Sequence, residues 1–170
     1  MKRILLVVLV ILTIILYGGY CMAEGEELEG YDFLYLFDGE VTLQQMPAES
    51  SIKRIAAYTF IERPDQNLLI DLEAGKFFYD RGYMYGYVLD ADKQGDLSEE
   101  LQQSIIDLTA KVNWPTCNAS AGSDDIAWCI AIETDAGLVR YTSKGLDEQT
   151  NHEITDYLID LYKIFWNSAE

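Results

Sequence analysis

Residues 114–143 read WPTCNASAGSDDIAWCIAIETDAGLVRYTS, with two tryptophans, two cysteines and an acidic loop between them, and no other stretch constrains the fold as much. Ile126, Trp128, Ile130 and Ile132 recur at every second position, the period of a strand with one face turned to a core. Asp135-Ala136-Gly137 has the chemistry of a hairpin connection. Residues 138–143 are expected to return beside the first strand. The centre of the domain is therefore an antiparallel pair with a tryptophan on its inner face.

The same two-residue period recurs upstream. Aromatics at 31, 33, 35 and 37 alternate through YDFLYLF, which predicts a strand. Residues 41–51 read as a loop or short strand. Residues 54–62 and 67–73 predict two more strands, with Arg63-Pro64-Asp65 as the turn between them. Ala74-Gly75 turns the chain into a strand from Lys76, and Arg81-Gly82 breaks it again. Residues 83–89 place Tyr83, Tyr85 and Tyr87 on one strand face.

The period changes at Leu97. Leu97, Leu101, Ile105, Leu108 and Val112 form one stripe of an amphipathic helix of about four turns. Its cap is Asp96, which has capping-box spacing to Glu99, or Ser98. Asn113-Trp114-Pro115 ends it. Thr150 and Glu153 have the same capping spacing before Ile154, Tyr157, Leu158, Leu161 and Phe165, a second amphipathic helix ending near Trp166. The fold class expected is α+β. Residues 31–170 should form one domain, an antiparallel β-sheet of about five to seven strands packed on one face by two amphipathic helices. A chain of 170 residues is long enough to bury a core of that kind.

The amino end has the layout of an export signal. Lys2 and Arg3 precede an apolar run from Ile4 to Leu16, interrupted only by Thr13, and a small-residue region ends at Ala23. Cleavage after Ala23 would leave a short acidic tether, residues 24–30. Two alternatives use the same residues: lipidation of Cys21 behind a lipoprotein signal, or an uncleaved anchor, since residues 4–23 carry no charge over a bilayer's span. Each places the domain outside the cytoplasm, as a secreted, cell-surface or periplasmic protein, and a membrane enters only through that segment. In an oxidising compartment Cys117 and Cys129 should form a disulfide, whose loop closure would contribute about 3 kcal/mol.

Charge removes whole classes of function. Twelve basic residues stand against 29 acidic ones, a net charge of −17. Without residues 1–23, ten basic residues remain against the same 29 acidic ones, a net charge of −19. Such a field repels nucleic acid and anionic lipid. A single histidine, His152, excludes any multi-histidine metal site. Asp90, Asp92, Gln94 and Gly95 fall where a calcium loop wants oxygens and glycine, but its twelfth position is Leu101 rather than glutamate. A turn leading into a helix cap accounts for the same residues. No GxSxG elbow accompanies His152. No metal, cofactor or catalytic residue is expected.

From Leu68 to Phe165 the order of elements, with Asp124, Asp125, Trp128, Asp135 and Gly137 around the central hairpin, resembles small exported proteins and lipoproteins of Gram-positive bacteria that have no assigned function. The resemblance implies export and an α+β fold, and it transfers no catalytic residue. Asn118-Ala119-Ser120 matches a glycosylation sequon, which has no meaning in a bacterial host.

Candidate contacts are Tyr83, Tyr85 and Tyr87 as an aromatic face, with Asp124, Asp125 and Trp128 around the loop that precedes the hairpin. Cross-strand pairing explains the tyrosines as well, and the charge excess explains the aspartates. The function expected is a non-catalytic exported binding module for an extracellular protein or a cell-wall glycan. One alternative is an acidic inhibitor of a cationic secreted enzyme such as lysozyme. The other is a small hydrolase using paired carboxylates.

Overall fold

A computed structural model describes residues 36–37, 39–48, 50–59, 66–81, 93–118 and 126–166. Tyr83, Tyr85, Tyr87, Asp124 and Asp125 lie outside the described residues, as do residues 1–35. Among the described residues six strands and two full helices follow in order: β1 (Ile52–Thr59), β2 (Gln66–Asp71), β3 (Lys76–Arg81), β4 (Lys93–Asp96), α1 (Glu99–Ala110), β5 (Trp128–Thr134), β6 (Leu138–Thr142) and α2 (Glu148–Trp166). The sheet runs β4-β3-β2-β1-β5-β6, with every neighbouring pair antiparallel. The expected α+β class, an antiparallel sheet with two helices, is what the chain forms.

β1 holds the centre because its residues can be buried on both sides. Ile55, Ala56 and Ala57 are all fully buried. Its partners β2 and β5 are buried at nearly every position. Side chains on one face of the sheet, among them Ile55, Ala57, Leu68, Ile70, Trp128, Ile130 and Ile132, meet Ile105 of α1 and Ile154, Leu158, Leu161 and Phe165 of α2 in one core. Each such aliphatic side chain, removed from water, is worth about 1.5–3 kcal/mol. The alternation read at Trp128, Ile130 and Ile132 is thus the alternation between the helix-covered face and its opposite.

Helix starts follow local chemistry. Ser98 caps α1, its Oγ accepting from the Leu101 amide at 3.2 Å, while Glu99 and Glu100 sit at the positive end of the helix. α2 begins earlier than the Thr150–Glu153 spacing suggested. Asp147 is the cap: its carboxylate accepts from the Thr150 amide at 3.0 Å and the Thr150 hydroxyl at 2.7 Å. Those bonds, the hydroxyl first, hold the Asp147 carboxyl below its ordinary range.

Three local expectations are corrected. Leu36 and Phe37 are helical, not extended, so that Leu36 can turn down onto the sheet, where it is wholly buried. Residues 93–96 form the edge strand β4 on β3 rather than a turn. Gly95 fits there because Phe77 lies against it, 3.1 Å from where a Cβ would stand. Strand geometry there removes the calcium-loop reading of Gln94 and Gly95; Asp90 and Asp92 lie outside the described residues. Cys117 and Cys129 are not bonded; both are free thiols.

The geometry of β6 explains the free thiols. β6 is the outer strand of the sheet, and its open hydrogen-bonding edge is covered by two other segments. The Leu138 carbonyl accepts from the Thr42 and Leu43 amides, and the Leu138 amide donates to Thr42 Oγ1. Cys117 Sγ donates to the Arg140 carbonyl at 2.7 Å and accepts from the Arg140 amide at 3.4 Å. The Asn118 side-chain amide does the same for Thr142, accepting from its N–H and donating to its carbonyl, both at 2.9 Å. Cys117 therefore lies outside β6 while Cys129 lies inside it on β5, and a whole strand separates the sulfurs. The arrangement blunts an edge that would otherwise invite another strand. Gly137 lets the 42–43 segment approach, since a side chain there would collide with Thr42 and Leu43.

Candidate functional site

The helix-covered core leaves the outer sides of α1 and α2 to solvent, and those sides are acidic. Glu99, Glu100 and Asp107 are exposed on α1; Asp147, Glu148, Asp156 and Asp160 are exposed on α2 and its cap. Facing them are Lys111, just past α1, and Lys163, which is tied to Asp160 at 2.9 Å. Glu153 reaches from α2 to accept from the Asn113 amide at 2.8 Å, which locks the end of α1 to α2. Asp147, Glu148, Gln149 and His152 line a shallow depression at the start of α2. His152 itself is exposed and lies 3.5 Å from Asp156, one turn along the helix. Among the described residues no group of three or more His, Cys, Asp or Glu side chains is placed to hold a metal ion.

The opposite face of the sheet is organised in rows that cross the strands. Strand register aligns Thr142, Cys129, Tyr58, Asn67 and Asp80 in the first row. The second row is Arg140, Ala131, Ala56, Leu69 and Phe78; the third is Leu138, Glu133, Arg54, Asp71 and Lys76. The alanines leave a trough in which Leu36 packs with Leu69, Phe78 and Leu138. Phe37 meets Tyr58 edge-on at 5.0 Å. In the third row Arg54 and Glu133 are paired at 2.7 Å. Charges on this face are mixed, whereas those on the helical side are nearly all negative.

Burial shapes the titration of the first row. Desolvation pushes the Cys129 thiol up to about 12, opposed by the Arg140 charge and a hydrogen bond with Tyr58. The Tyr58 hydroxyl is also raised, by burial first and by Cys129 second. Both groups are neutral at pH 7.

Of the expected contacts, only Trp128 lies among the described residues. Trp128 is wholly buried, its indole N–H donating to Asn151 Oδ1 at 2.9 Å and Thr155 Oγ1 at 3.1 Å. It fastens α2 to the sheet and offers no surface to a ligand. Asn118 has its amide engaged on the edge of β6, which leaves the sequon nitrogen no room for a glycan. Arg140 and Thr142 were not singled out by sequence, although their alternation with Leu138 marks one face of β6 as partly polar.

Compared with known proteins, the chain matches no family model, no curated protein and no solved structure. Among the described residues no helix is long and apolar enough to cross a membrane.

Proposed function

We propose that this protein is an exported, non-catalytic binding module that takes a cationic protein partner on the acidic outer side of its two helices. The observation that supports this reading is the segregation of charge. Seven exposed carboxylates lie along α1, the Asp147 cap and α2, with Lys111 and the paired Lys163 as the opposing cations. The helices are held on a rigid sheet and locked to each other through Glu153, so the carboxylates keep a fixed spacing. A preorganised field of one sign steers an oppositely charged partner and speeds its association. A secreted cationic enzyme such as a lysozyme has that chemistry, and capture by this face would make the protein its inhibitor.

The test is a binding titration with a cationic lysozyme at low and high salt. The affinity should fall about tenfold or more between ~20 mM and ~500 mM salt, where the screening length shrinks below the spacing of the charges. Neutralising Glu99, Glu100, Asp107 and Glu148 to their amides should weaken binding as strongly at low salt. Equal affinity of the neutralised variant, or no binding at either salt, would remove this reading.

A further inference from the structure

Arg140 is 7% exposed, yet among the described residues no carboxylate meets it. Among the described residues its side chain makes one hydrogen bond, from Nη2 to the carbonyl of Gly39. Its Nε–H is buried without any partner, and so is the hydroxyl oxygen of Thr142 two residues on. Residues i and i+2 of a strand share a face, so both groups stand on the side of β6 opposite the helices. The nearest carboxylate by register, Glu133, belongs to Arg54. Asp80 ends the first row four strands from Thr142, about 19 Å away at ordinary strand spacing. Cys129 and Tyr58, the groups beside Thr142, are neutral donors rather than counter-charges. A guanidinium keeps its charge at every accessible pH and has five N–H donors. Left buried with one carbonyl, it is the kind of group that a structure retains for a ligand.

We propose that Arg140 and Thr142, beneath the Gly39 carbonyl, form a binding site for a small carboxylate. Nε–H and a remaining Nη proton present the two-pronged edge that matches a carboxylate in plane. The Thr142 hydroxyl donates a third hydrogen bond to one carboxylate oxygen. Leu36 fills the adjoining trough and Phe37 packs on Tyr58 beside it, so the proposed ligand is a compact anion. This site lies on the other side of the sheet from the acidic helices and does not depend on them.

The experiment is thermal unfolding of the full chain in rising sodium acetate, with sodium held constant by chloride, and a parallel series in phosphate. Acetate should raise the midpoint by several degrees and saturate, while phosphate should do so only at several-fold higher concentration. Arg140→Gln should lose the acetate response. Thr142→Val keeps the shape of the side chain, so it serves if the arginine variant does not fold, and it should need several-fold more acetate. In the unsubstituted protein the Arg140 Nε–H resonance should move with the same saturation curve. No midpoint shift with acetate, an unchanged response in Thr142→Val, or an equal response to phosphate would each overturn the assignment.

Discussion

On the helix-covered face of the sheet, each buried aromatic side chain that carries a polar atom has a partner for it. Tyr157 shares a hydrogen bond with Thr109 at 3.0 Å, Trp114 donates to the Thr109 carbonyl at 3.0 Å, and Tyr162 donates to the Gln66 carbonyl at 3.2 Å. Tyr141 accepts from the Met46 amide at 3.1 Å and stacks on Trp114. On the opposite face, Arg140 and Thr142 hold buried polar atoms with none. An unmade buried hydrogen bond costs about 1–3 kcal/mol, so the difference is large on the scale of domain stability. One face is finished by its own side chains. The other is completed by something the chain does not supply among the described residues.

Side chains on the two faces should respond differently to substitution. The largest effect is expected at Trp128, where replacement by alanine empties the core under α2 and should cost about 3–5 kcal/mol in urea unfolding. Cys129→Ala, one residue on and facing the other way, should cost much less; equal losses would erase the contrast. Ala131→Leu should cost about 1–3 kcal/mol, because the larger side chain must displace Leu36 from its trough. A neutral result there would mean that Leu36 is not seated as described.

Alkaline pH sharpens the comparison further. The Cys129 thiol has an ordinary value of 9.0 and is raised to about 12; Tyr141 goes from 10.0 to about 12, chiefly by burial. Above pH 9 the unfolded chain loses the cysteine proton while the folded chain keeps it. Its contribution is therefore complete below pH 9 and is lost as pH rises toward 12, with about 1.4 kcal/mol gone at pH 10. In Cys129→Ala the decline should begin about one pH unit later, where the tyrosines take over. Stability that is level from pH 9 to 10 in the unsubstituted protein would contradict the burial of that thiol. The smallest effect is expected at the sheet edge. Asn118→Ala uncovers the Thr142 amide and carbonyl and should cost about 1–2 kcal/mol, seen also as faster amide exchange at Thr142.

Much of the fold is legible in the sequence because periodicity reports burial directly. Trp128, Ile130 and Ile132 show it, as do Ile105 on α1 and Leu158 and Leu161 on α2. Short edge elements are less legible. β4 reads KQGD and has no apolar alternation, since it borrows its place from pairing with β3. Leu36 and Phe37 alternate like a strand but turn as a helix, because tertiary packing against Ala56 and Ala131 outweighs local period. The two cysteines illustrate a further limit. Number and compartment argued for a bond, but spacing along the chain says nothing about a strand lying between the sulfurs. The acidic excess was visible as a count, while its concentration on the outer side of the helices requires the fold. Arg140 was hidden for a similar reason: LVRYT looks like any half-buried strand until the register sets its arginine beside Ala131.

The central claim is that the acidic side of α1 and α2 is the binding surface. Hydrogen–deuterium exchange of the chain, with and without a cationic lysozyme at low salt, tests it most directly. The account predicts added protection over residues 99–111 and 147–160, with β2 and β3 unchanged. Protection confined to the strands, or no protection anywhere, would contradict it.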